Sequence, residues 1–133
     1  MKKSFYYVVL TFITFATVAC HNGDYPANIQ GKWSYNDTIN TIQSVLSTSS
    51  SSASKGIPAT VDYVTNDTEL STKVLIDYDP ADGQGTFKPE KGIEGLQGSF
   101  EAIDQQNIKL TLFHIDKKGE STTLLKNAVY TLI

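Results

Sequence analysis

A thiol, two imidazoles and a set of carboxylates carry the reactive chemistry of this chain. Cys20 is the only cysteine. A lone thiol has no disulfide partner and cannot build a structural zinc site, which needs about four Cys or His ligands. The histidines are His21 and His114. A Ser–His–acid triad would have to use His114, and no Gly-x-Ser-x-Gly elbow is present. His114, between Phe113 and Ile115, reads as a hydrogen-bonded strand residue. Gly83-Gln-Gly85 lacks the third glycine and the helix of a dinucleotide fingerprint. Asp77, Asp79 and Asp82 could offer oxygen ligands to calcium, but Ala81 stands where an EF-hand ligand belongs. The same residues are what a turn demands. No cofactor or metal is expected, and the chain is expected to bind rather than catalyse. Two carboxylates facing each other across a cleft would be the signature of a hydrolase instead.

The residues before Cys20 give that thiol a role. Lys2 and Lys3 precede Phe5–Val18, which is apolar apart from Thr11, Thr14 and Thr17. This segment is shorter than the roughly 20 apolar residues of a membrane span and reads as a secretory signal. Its ending, Thr17-Val18-Ala19-Cys20, resembles the lipobox of bacterial lipoproteins, with Thr17 in place of the usual Leu. The resemblance implies cleavage before Cys20, acylation of that residue and a cell-envelope location, at the outer membrane. Each buried CH₂ of an acyl chain contributes about 0.8 kcal/mol, so two or three chains form a stable anchor. The chain then divides into a signal peptide at 1–19, a lipidated tether at 20–28 and one domain at 29–133. Asp24 in the tether is similar to the acidic residues that follow the Cys in exported lipoproteins of the Bacteroidetes type. Asp37-Thr38-Ile39 resembles the O-glycosylation acceptor of the same group.

Loss of residues 1–19 removes Lys2 and Lys3 and no acidic residue, which moves the net charge from −3 to −5. The remaining basic residues are all Lys. A polyanion binder shows clustered Lys and Arg, with the guanidinium fork as the preferred phosphate partner. Nucleic acid and anionic lipid headgroups are therefore not expected partners.

The elements that would position a site are mostly strands. Ile29, Gly31, Trp33 and Tyr35 alternate with polar residues, the period of a half-buried strand. Asp37 is placed to cap a short helix carrying Ile39, Ile42, Val45 and Leu46 at helical spacing. Ser47–Ser54 is low-complexity and is expected to be a mobile loop. Ala59, Val61 and Tyr63 share one strand face, and Val74, Ile76 and Tyr78 another. Asp79-Pro80-Ala81-Asp82-Gly83 has the chemistry of a type I turn. Gly85–Lys88 returns as a short strand ended by Pro89, and Gly92–Gly98 reads as a glycine-rich loop. Ser99–Ile103 and Ile108–Ile115 form a hairpin. Ser121–Leu132 is the last strand, with a bulge at Asn127-Ala128 and with Leu125, Val129 and Leu132 as core candidates. About seven antiparallel strands predict a mainly β fold, either an up-and-down barrel or a two-sheet sandwich.

Gly31-Lys32-Trp33 resembles the Gly-x-Trp that opens the first strand of lipocalins and other calycins. In that family Gly permits close backbone approach and Trp plugs one end of the barrel. Short Bacteroidetes-type lipoproteins begin in a similar way. The usual Arg over this Trp is missing, and Lys126 is a candidate substitute. The resemblance implies a small apolar ligand held among Trp33, Tyr35, Tyr63, Tyr78, Phe100 and Phe113, or a protein partner. The alternative is an inhibitor or immunity-type lipoprotein that works by surface complementarity without a cavity.

Overall fold

The computed structural model describes residues 25–49 and 55–133. The signal sequence, Cys20, the tether through Asp24 and residues 50–54 of the serine run lie outside the described residues. The rest is eight antiparallel strands in one closed barrel. They are β1 (Gly31–Asp37), β2 (Ile42–Thr48), β3 (Ile57–Val64), β4 (Glu69–Asp79), β5 (Gln84–Pro89), β6 (Gly95–Asp104), β7 (Asn107–Ile115) and β8 (Ser121–Leu132). Each strand pairs with the next, and β8 returns to β1 through Trp33 opposite Leu132 and Ser34 opposite Thr131. Closure leaves no unpaired sheet edge. Gly31 makes the closure close: a Cβ there would lie 2.7 Å from Leu132 Cδ1, and its φ is +123°.

Up-and-down order gives the barrel two unlike ends. Turns 38–41, 65–68, 90–94 and 116–120 form an open rim. At the other end lie the entering segment, turn 80–83, turn 105–106 and the end of β8; we call this the tether end. Residues 25–30 fold across it. Ile29 is fully buried and packs in the core. Tyr78 Oη donates to Pro26 O at 2.7 Å, Gln105 Nε2 donates to Tyr25 O at 2.7 Å and Trp33 Nε1 donates to Ile29 O at 3.0 Å.

The interior follows the alternation. Trp33, Leu46, Val61, Val74, Ile76, Leu96, Ile108, Leu110, Leu112 and Tyr130 are all nearly or fully buried, each contributing roughly 1.5–3 kcal/mol. One apolar cluster draws side chains from all eight strands.

Four local expectations change. The helix after Asp37 is strand β2: Ser44, Leu46 and Thr48 point inward, and β-branched Ile42 and Val45 suit a pleated sheet. Asp37 instead caps the β1–β2 turn, accepting from Ile39 N and Asn40 N at 3.1 Å each. Ser47 and Thr48 belong to β2 rather than to a loop, and Thr48 Oγ1 donates to Pro58 O at 2.6 Å. Gly95–Gly98 starts β6, where Gly98 makes room for the Phe87 ring. Val129 is 46% exposed, whereas Ala128 and Tyr130 face the core. The bulge before them, with Asn127 at φ 54°, reverses the parity of β8.

Candidate functional site

The six residues expected to hold a ligand divide between two places. Trp33, Tyr63, Tyr78 and Phe100 are buried members of the core. Tyr35 is half-buried, and its ring stacks on Tyr130 at 5.6 Å. Phe113 lies on the outer wall beside Gln97 and Ser99. It follows the outward alternation of Lys109 and Thr111, whereas Ile108, Leu110 and Leu112 are buried.

Inside, the aromatic rings fill space rather than frame it. Tyr78 and Phe100 stack at 5.9 Å, and Phe87 tilts against Phe100 at 6.5 Å. A Cβ on Gly85 would lie 2.2 Å from Phe100 Cζ, so the ring occupies the place of a side chain. An eight-stranded barrel is just wide enough to be filled by its own side chains or to hold one small ligand. Here the rings take up that width.

Polar atoms inside are paired. Tyr130 Oη donates to Ser44 Oγ at 2.6 Å, which donates to Asp62 O at 2.7 Å. Burial raises the Tyr130 pKa, and the Ser44 hydrogen bond only partly offsets this. Burial first, then the charges of Asp79 and Asp82, push the Tyr78 phenol up to about 12. Both phenols stay neutral and act as hydrogen-bond donors at neutral pH. No buried side-chain N or O among the described residues lacks a partner.

The outer wall offers the better-formed concavity. A groove of about 580 Å³ crosses β4 to β8, and one of about 450 Å³ adjoins it, with Asp77, Thr86 and Ser99 common to both. Its floor is a cross-strand row, because Asp77, Thr86, Ser99 and Thr111 stand opposite one another in register. These side chains are short, so the wall dips between them. Gln84, Glu101 and Lys109 flank the row on one side, and Leu75, Lys88, Gln97 and Phe113 on the other. Thr111 Oγ1 accepts from Asn127 N at 3.1 Å, and Asp77 Oδ1 accepts from Gly56 N at 2.9 Å. Sequence reading missed this row. Its only trace is the polar half of the alternation in each strand, which a search for core positions passes over.

The candidate calcium residues serve their turn. Asp79 Oδ1 accepts from Ala81 N, Asp82 Oδ1 from Gln84 N, and Asp79 O from Gly83 N. Among the described residues no group of three or more His, Cys, Asp or Glu side chains could hold a metal ion. None of their helices is long and apolar enough to cross a membrane. No family model, curated protein or solved structure matches the chain. The geometry alone therefore carries the functional argument.

Proposed function

We propose that this chain is a lipid-anchored binding protein of the bacterial cell envelope, held at the outer membrane through Cys20, and that it recognises a protein partner on the outside of its barrel. It acts by binding and not by catalysis. The observation that supports outside recognition is the filled interior, where the Phe100 ring sits against Gly85 and side chains of all eight strands meet. Closure of the barrel also argues against a partner that adds a strand, because no edge is free. A partner must dock by side-chain complementarity, and the groove over Thr86, Ser99 and Thr111 is the surface shaped for it. The closed β-barrel, Trp33 buried near its end and Gly31 against Leu132 support the likeness to lipocalins.

Two measurements test this proposal. Titration with a fluorescent fatty-acid probe is expected to show no saturable binding. A photocrosslinker at Ser99 in envelope-localised protein is expected to give one discrete adduct, absent when the crosslinker stands at Lys117 on the rim. Saturable probe binding that quenches Trp33 would overturn the proposal in favour of a ligand inside the barrel.

A further inference from the structure

Three large apolar side chains are exposed at the same end of the barrel. Ile103 is the extra residue of a β6 bulge, since Ala102 pairs with Ile108 and Asp104 with Asn107, leaving Ile103 unpaired. It is 46% exposed. Val129 is turned outward by the bulge in β8 and is equally exposed, and Ile133, beyond the end of β8, is 77% exposed. Only two other large apolar side chains are exposed among the described residues, Ile39 and Ile93, and both sit on the opposite rim. The bulge in β8 re-aims Val129, while Ile103 continues the outward face of β6.

The three residues form one facet. Strands β6 and β8 are separated only by β7, about 10 Å at ordinary strand spacing. Val129 stands opposite Lys109, Thr131 opposite Asn107, and Ile133 N donates to Lys32 O at 2.9 Å. The facet is thus Ile103, Val129 and Ile133, with Lys32 and Lys109 beside them and with Glu101, opposite Lys109, and Asp104, next to Ile103, at its border. Asp79 at the end of β4 and Asp82 in turn 80–83 lie across the same end. Exposed aliphatic groups suit a lipid surface, and the stems of neighbouring lysines can pack among acyl chains beside them.

The chain itself brings this end to a membrane. Tyr25 is held at the tether end by Gln105, and only five peptide steps separate it from Cys20. At no more than about 3.6 Å per residue they reach at most about 18 Å. Resting on the reading of Cys20 as an acylated residue, we infer that Ile103, Val129 and Ile133 form a lipid-contacting facet that seats the tether end of the barrel on the bilayer. The rim then faces away from the membrane. Side chains of this kind sink about 5–10 Å into the headgroup boundary.

The test uses the full mature lipoprotein reconstituted in phosphatidylethanolamine–phosphatidylglycerol vesicles containing bromine-labelled lipids. Acylated Cys20 offers no free thiol, so a single fluorophore can be placed by Ile103→Cys, Val129→Cys, Ile39→Cys or Ile93→Cys. The expected result is loss of most emission at 103 and 129 and little loss at 39 and 93. Equal quenching at all four sites, or quenching on the rim alone, overturns the facet. The mass of the mature protein tests the anchor independently: absence of acyl groups defeats the anchor reading whatever the quenching pattern. Ile103→Ser with Val129→Ser changes only exposed side chains, and Trp33 fluorescence verifies that the barrel is folded. With a fluorophore at Ile133→Cys, that pair is expected to relieve quenching at 133. Unchanged quenching there also counts against the facet.

Discussion

The two ends of the barrel are built by different physics. At the tether end, residues far apart in sequence hold one another: Tyr78 binds Pro26, Gln105 binds Tyr25, and Ile29 is sealed in the core. On the rim three of the four turns satisfy themselves, while in the fourth Glu90 N donates to Lys73 O on β4. Asp37 caps 38–41, Thr65 Oγ1 accepts from Asp67 N and Thr68 N, and Asp116 Oδ1 accepts from Lys118 N and Glu120 N. The first arrangement couples an end to the whole fold. The second leaves those three turns independent of residues distant in sequence. A domain with this asymmetry has one end given to stability and another open to change.

The largest expected break in that contrast comes from Trp33→Ala. It removes a buried aromatic that also ties Ile29 O, and should cost about 3–5 kcal/mol, read by urea unfolding followed by circular dichroism. Ile29→Ala tests whether the entering segment belongs to the fold. A loss of about 2–5 kcal/mol is expected for a buried Ile, and a change near zero would mean the segment is a passenger.

Tyr78→Phe sharpens the comparison by removing only the hydrogen bond to Pro26 O, worth about 0.5–1.5 kcal/mol. The wild type should also be alkali-sensitive here. The Tyr78 phenol is pushed up to about 12 in the folded chain and titrates near 10 when unfolded. Its contribution is therefore fully present below pH 10 and lost as the pH rises from about 10 to 12. Tyr78→Phe should flatten that part of the stability–pH curve.

Asp37→Ala is the smallest effect, confined to the rim. Amide exchange at Ile39 and Asn40 should quicken while the global unfolding midpoint stays nearly in place. Hydrogen bonds from Asn40, side chain first and then backbone, hold the Asp37 carboxyl below its ordinary range. The cap is present above the unfolded pKa of about 3.9 and is lost as the pH falls through the lower folded value. An effect of Asp37→Ala on global stability as large as that of Tyr78→Phe would erase the distinction between the ends.

The strands with apolar inward faces were legible in the sequence. Ala59, Val61 and Tyr63 in β3 and Val74, Ile76 and Tyr78 in β4 display the period of 2 openly, and Asp79–Gly83 announces its turn. Strand β2 was not legible, because two of its inward residues are Ser44 and Thr48, while Ile39, Ile42, Val45 and Leu46 happen to fit a helical period. Gly85 is small because the Phe100 ring passes over it, and Gly98 because the Thr111 carbonyl and the Phe87 ring approach it, facts no local pattern records. A predicted bulge at Asn127-Ala128 placed Val129 inside, whereas the shift exposes it. The outer groove was hidden for a related reason: it exists only once the register sets Thr86, Ser99 and Thr111 side by side.

The seam between β1 and β8 is held by two aligned pairs, against seven between β1 and β2. It is the place where a tug on the chain could peel the barrel open. Tension arriving from before Tyr25 does not reach it first. The Gln105–Tyr25 and Tyr78–Pro26 bonds take the load and pass it to β4 and to the β6–β7 turn. Residues 25–30 thus serve as a strain relief, in the way a cable clamp guards the joint behind it.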